Sequence, residues 1–116
     1  MADRLWKVQL TVAAQRDYEE ILTWTLDRFG VNQVHVYDAT LLLALEDLRA
    51  GPDVLGVKQR DEIGPDICTM HVARKGRKGR HFLMFRICQD ERTLEVLRIL
   101  HDQMDLARHL AADDLH

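Results

Sequence analysis

The residue types able to do chemistry gather in the second half of this chain. Arg98, His101 and Asp105 stand near its C-terminus, Arg86, His81 and His71 lie upstream, and the run RKGRKGR occupies Arg74 to Arg80. A histidine titrates near neutrality, so His101 can act as a general acid or base. The reading preferred is structural: where a strand meets a helix it can fix the corner by bonding to the backbone or to Asp105. Arg98 falls in an apolar stretch, where a guanidinium must find an anionic partner, in this chain or another, or stay wet. Arg86 poses the same choice.

The basic run holds five cations in seven residues, Arg74, Lys75, Arg77, Lys78 and Arg80, with two glycines and no acid. Such a hairpin tip is either a solvated turn or a contact for phosphates or an acidic partner. It stands out because the chain as a whole carries a net charge of −3. Residues 1–56 hold five basic and nine acidic side chains, and residues 57–116 hold eleven and ten.

Metal and cofactor chemistry find no pattern. The six histidines have no ligand spacing with Cys or carboxylates, and no glycine-rich phosphate loop is present. Neither a metal nor a nucleotide or flavin cofactor is expected. Cys68 and Cys88 lack the spacing of a zinc pair or redox motif, and read as buried reduced thiols that can face each other across a hairpin.

Elements must now position these groups. Leu5 to Leu10 alternates Trp6, Val8 and Leu10 against Lys7 and Gln9, which predicts a strand. Thr11 is placed to cap a helix over Val12 to Phe29, with Ala14, Tyr18, Ile21, Leu22, Thr25 and Phe29 on its apolar face and Gly30 as its stop. A second helix is expected from about Asn32 to Arg49, ended by Gly51-Pro52. On it Val34, Tyr37, Leu41, Leu45 and Leu48 step by three and four, so Tyr37 reads as core and His35 as an idle surface group. Two helices joined so tightly form an antiparallel hairpin.

Gly51 to Asp66 holds both prolines and three glycines and reads as a loop. Strands follow at Ile67–Arg74, Phe82–Cys88 and Leu94–Leu100, and Met104, Leu106, Ala107 and Leu110 begin a helical rhythm. On one face of the last two strands the alternation predicts Phe82, Met84, Arg86 and Cys88 opposite Leu94, Val96, Arg98 and Leu100. Arg86 and Arg98 would then come near each other. The expected fold is α+β, order β-α-α-β-β-β-α: an antiparallel sheet of about four strands, a helical hairpin on one face and a short C-terminal helix. Residues 1–116 suffice for a single domain. No apolar run approaches the roughly 20 residues a membrane helix needs, and MADRLWKV is no signal peptide, so a cytoplasmic protein is expected.

The element order, the Gly30 break, the HVARKGRKGRHFLMFRI hairpin and above all LEVLRILHDQMDLARHL resemble the ParE branch of the RelE/ParE toxin superfamily of type II toxin–antitoxin modules. The most specific part is R-x-L-H-x-x-M-D, here Arg98, Leu100, His101, Met104 and Asp105. The resemblance implies a growth-arresting toxin neutralised by a cognate ParD-like antitoxin, whose disordered tail folds onto it in a hetero-oligomer. It implies DNA gyrase as target, or mRNA on the ribosome if the chain follows the RelE branch. A metal-independent ribonuclease needs a base for the 2′-hydroxyl, a cation for the phosphorane and a proton donor. RelE-type nucleases are similar in using clustered Lys and Arg with a Tyr near the C-terminus. Here Tyr18 and Tyr37, the only tyrosines, fall in the helices, which favours a non-enzymatic gyrase inhibitor over a nuclease; an inactive toxin-like binding module is the third reading. No catalytic residue is assigned with certainty; if the chain is an enzyme, Arg86, Arg98 and His101 are the candidates. Arg74, Lys75, Arg77, Lys78, Arg80, Met84, Arg98, Met104 and Asp105 are the expected partner-binding residues, aided by surplus apolar surface at Trp24, Leu42, Leu43, Met84 and Val96.

Overall fold

Thr11 starts the first helix as its side chain predicts. Its Oγ1 accepts the Ala14 N–H at 3.1 Å and donates to the Leu97 carbonyl at 2.9 Å, so one hydroxyl caps the helix and ties it to the last strand. The computed structural model describes residues 5–103. Its elements are β1 (Lys7–Leu10), α1 (Val12–Phe29), α2 (Val31–Leu48), β2 (Val57–Gln59), β3 (Ile67–His71), β4 (His81–Cys88) and β5 (Thr93–His101), with a 3-10 turn, Gln89–Glu91, between β4 and β5.

Both helices lie within a residue of expectation, because their stops are glycines in backbone that other residues avoid. Gly30, at φ 90°, closes α1 by donating to the Leu26 carbonyl and passes the chain straight into α2. Gly51, at φ 110°, sits where an added Cβ would fall 2.9 Å from the indole nitrogen of Trp6.

The sheet has five strands in the order β1-β5-β4-β3-β2. Two features depart from the expected four antiparallel strands. β1 pairs parallel with β5, Lys7 opposite Thr93 through Leu10 opposite Val96. The loop after α2 also contains β2, which pairs antiparallel with β3 at the edge. Three residues, Val57 to Gln59, are too few to show a period of two, which is why this strand is silent in the sequence.

A bulge in β5 sets the placement of the arginines. Phe85 faces Val96 but Met84 faces Arg98, which leaves Leu97 as the extra residue. Leu94, Val96 and Ile99 pack with Leu83, Phe85, Leu41, Ala44 and Leu48 beneath the helices. Met84, Leu97 and Leu100 pack with Ile63 and Ile67 on the other face. Leu94 and Val96 therefore do not share a face with Leu100, and the proximity expected between Arg86 and Arg98 does not form. Arg86 lies opposite Glu95, 3.6 Å from its carboxylate, and Arg98 turns to α1.

Met84 and Val96, expected at the surface, are 1% and 0% exposed. The 60–67 loop covers Met84 and the helices cover Val96. Cys68 lies opposite Phe85 and Cys88 opposite Thr93, so the two thiols do not face each other. The expected C-terminal helix, with Met104 and Asp105, falls outside the described residues. Among those residues no helix is long and apolar enough to cross a membrane.

Candidate functional site

Arg98 is the functional candidate that the structure employs most fully. Its Nε and Nη2 donate to Asp17 of α1 at 2.7 and 3.1 Å, and the same carboxylate accepts the Ile99 N–H at 2.9 Å. Both side chains are more than four-fifths buried, so this pair is part of the packing between α1 and β5. It forms the floor of a cleft of about 800 Å³, walled by Trp24, Phe29 and Tyr37 from the helices and by His81, Leu100 and His101 from the sheet. That volume is of the size that takes a ligand or a partner side-chain cluster.

The mouth of this cleft is apolar. Trp24 and Phe29 are 53% and 64% exposed and meet edge to face at 5.8 Å. Phe29, expected on the apolar face of α1, is instead exposed at the last residue of that helix. Leu42 and Leu43 are also exposed, as the sequence suggested.

A polar network lies at the far end. The Arg80 N–H donates to Tyr37 Oη at 3.0 Å, and the same hydroxyl shares a hydrogen bond of 2.7 Å with His81 Nδ1. Burial, then electrostatic repulsion from the His101 imidazole, pushes the His81 pKa down to about 4. Burial likewise raises the Tyr37 hydroxyl. His71 Nδ1 accepts the Ala73 N–H at 2.9 Å, which turns its Nε2 proton onto Asp102 at 3.0 Å. That hydrogen bond, with the charge of Arg80, holds the Asp102 carboxyl below its ordinary range. His101 Nδ1 accepts the Gln103 N–H at 3.2 Å and so fixes the end of β5.

His71 and His101 thus present the same tautomer, each with Nδ1 spent as the acceptor of a backbone N–H. Sequence reasoning placed Tyr37 in the core; its ring does pack there, but its hydroxyl belongs to this network. The contact is non-local, 44 residues apart, and no sequence pattern announces it.

The basic run is not a free tip. Asp47, near the end of α2, accepts Arg74 Nε at 2.9 Å, Lys75 Nζ at 3.0 Å and Arg77 Nη2 at 3.4 Å. Burial raises this carboxyl, but the hydrogen bonds of Lys75 and Arg74 outweigh it and hold it below the usual carboxylate value. Arg80 reaches Asp102 at 3.4 Å. Lys78 is exposed on the cleft rim and has no ion pair among the described residues. Among those residues, too, no group of three or more His, Cys, Asp or Glu is placed to hold a metal.

Comparison with known proteins gives this geometry a lineage. Residues 8–106 match the family described as ParE toxin of type II toxin-antitoxin system, parDE. The chain is 38% identical over 101 residues to Toxin ParE1 of Mycobacterium tuberculosis, in strains CDC 1551 / Oshkosh and H37Rv alike, covering 87% of this chain and 94% of that one. Among solved structures it resembles a chain of the chromosomal ParDE system from P. aeruginosa, with TM-score 0.68 and 14% identity over 85% of this chain and 98% of that one. It also resembles a chain of the RelBE2 toxin–antitoxin complex from Mycobacterium tuberculosis, with TM-score 0.56 and 23% identity over 84% and 98%. The isolated E. coli RelE toxin aligns with TM-score 0.55 and 12% identity over 96% and 99%. Structural likeness at these identities establishes the shared α+β fold, while the match over residues 8–106 and the ParE1 relative establish the family: the chain belongs to the ParE toxins of type II toxin–antitoxin systems.

Proposed function

We propose that this toxin acts on DNA gyrase in the cytoplasm, trapping it with broken DNA and arresting growth, and that a cognate ParD-like antitoxin neutralises it by folding a disordered tail onto its surface. The observation that carries the target is the employment of its cations. Arg98, Arg86, Arg74 and Arg77 stand in ion pairs with carboxylates of the chain itself. A nuclease would need some of them facing a scissile phosphate, whereas an inhibitor that works by protein contact needs no such group. The exposed aromatic mouth of the cleft, Trp24 and Phe29, together with Leu42 and Leu43, supports an antitoxin seat, because a disordered tail that folds on binding needs apolar surface to offset its ordering entropy.

The test is a supercoiling and DNA-cleavage assay with purified gyrase, with and without the antitoxin encoded beside this chain. Inhibition with accumulated cleaved DNA, relieved by the antitoxin, is the expected result. Unimpaired supercoiling at a several-fold excess of toxin rejects the target.

One observation favours a second reading, a metal-independent ribosome-dependent endoribonuclease. The Tyr37 hydroxyl and His81 meet at 2.7 Å in a cleft that Arg80 also lines, which brings acid–base groups together without a C-terminal tyrosine. A base held down at about 4 is weak at pH 7, so this reading ranks second. Cleavage of ribosome-bound mRNA that disappears in Tyr37→Phe would promote it.

A further inference from the structure

We infer that the turn from Arg74 to Arg80 is a binding site for the phosphodiester backbone of nucleic acid, with duplex DNA as its ligand. The sequence leaves open whether these cations are a solvated tip, and the structure supplies a charge imbalance on a rigid mount. Five cations face two carboxylates, Asp47 and Asp102, and Asp102 is shared with His71. Arg77 Nε is buried without a hydrogen-bond partner among the described residues. An excess of positive charge therefore persists on a protein whose net charge is −3.

The mount is built from the backbone. Lys75 and Gly76 take left-handed angles, φ 54° and 82°, and the Arg77 N–H closes the turn onto the Arg74 carbonyl at 3.0 Å. Arg74 also donates to the Leu55 carbonyl at 2.7 Å, and the Arg80 N–H is held by Tyr37. An added Cβ at Gly79 would fall 2.5 Å from Val72 and 3.0 Å from Tyr37 Oη, so the turn is seated against α2 at both ends. Gly76, in contrast, has open space where a side chain would stand. Asp47 keeps three cations together that would otherwise repel, and leaves Lys75 and Arg80, each about 60% exposed, and Lys78 directed outward. Cations ordered in advance lose little entropy on binding. A strip of single charges beside bare glycine backbone suits a regular polyanion better than an acidic peptide, whose carboxylates the site already supplies for itself.

The measurement is fluorescence anisotropy of a labelled 20-base-pair duplex with the full chain and no gyrase, from about 50 to 200 mM salt. Three outward cations predict a slope of log K against log salt near −2.7, hence about a 40-fold loss of affinity across that range. Lys75→Ser with Lys78→Ser leaves Asp47 its two arginines and should bring the loss down to about 3-fold. Lys7→Ser with Lys58→Ser, on β1 and β2, makes the same change in net charge and should leave the slope as it was. Absence of binding at 50 mM overturns the inference, and so does an equal effect of the two double variants, which would make net charge the cause. Binding of single-stranded RNA that depends on the turn, with none to the duplex, would keep the phosphate chemistry and overturn the choice of ligand. Because gyrase is absent, failure here leaves the proposed target standing, and failure of the supercoiling assay leaves this site standing.

Discussion

Removing Asp17 should cost about 3 kcal/mol of stability, and the reason lies in what its carboxylate does at once. It accepts two hydrogen bonds from Arg98 and one from the Ile99 N–H, in a place where its side chain is 11% exposed and that of Arg98 is 18% exposed. In Asp17→Ala the guanidinium stays in the packed interface between α1 and β5 without its counter-charge. Breaking a buried pair from one side costs about 3–5 kcal/mol, and the residual exposure places this pair at the lower end. For a domain of this length about 3 kcal/mol corresponds to a fall in Tm of roughly 10 °C. Arg98→Ala should cost somewhat less, since Asp17 keeps the Ile99 N–H. The double variant should fall short of the sum by about 2 kcal/mol, because the partners share one interaction. Asp17→Leu with Arg98→Met should recover most of the loss by refilling the space with apolar volume. Urea unfolding of the four variants measures all of this. Single losses under 1 kcal/mol that add would refute the assignment of Arg98 to the architecture and return it to the list of groups awaiting a partner.

Other expectations follow from individual contacts. His81 should make stability fall as the pH drops from about 6.5 toward 4. The unfolded histidine takes its proton at the ordinary value, whereas the folded one, facing Tyr37, His71, His101 and Asp102, resists until about 4. After allowance for partial exposure the loss is about 1–2 kcal/mol, and His81→Asn should flatten it in denaturation midpoints measured across that window. Asp47 and Asp102, both held below the ordinary carboxylate value, lose their contribution only at more acidic pH and so report separately. Gly51→Ala should destabilise by about 2–3 kcal/mol, because it combines a left-handed φ with a clash against Trp6, whereas Gly76→Ala, strained but unobstructed, should cost about 1 kcal/mol. Thermal melts of the two glycine variants would separate backbone strain from collision.

The helices were legible because their signals are local: a capping threonine, a glycine stop and apolar steps of three and four all lie within one element. The strands β3, β4 and β5 were legible for the same reason. What could not be read was pairing. The parallel partnership of β1 with β5 spans more than eighty residues, and the bulge at Leu97 leaves no mark in the alternation of Leu94, Val96, Arg98 and Leu100. That one residue reverses the face of everything after it, which is why Arg86 and Arg98 were expected together and lie apart. The site was legible as a set of residue types and illegible as a set of contacts. Arg98 asked for an acid, and its answer, Asp17, sits 81 residues away. The cations of the basic run were plain, but nothing in their spacing pointed to Asp47 on α2.

These distant answers share one geometry. Asp17 on α1, and Asp47 and Tyr37 on α2, reach from the helical hairpin to β5, to the basic turn and to the start of β4. The hairpin is thus fastened to the sheet and its basic turn by polar contacts, Asp17 and Tyr37 at the cleft and Asp47 outside it, as well as by the apolar core. Apolar contact tolerates sliding, since its gain depends on area; a carboxylate with three donors does not, because each bond fixes a distance and a direction. The polar fastening therefore sets where the cleft and the basic turn stand relative to each other. If the antitoxin seats in the cleft and nucleic acid on the turn, the two sites adjoin at Lys78 and Arg80, which belong to the turn and line the cleft. A single antitoxin tail laid across that junction could then cover both, and neutralisation needs no change of fold.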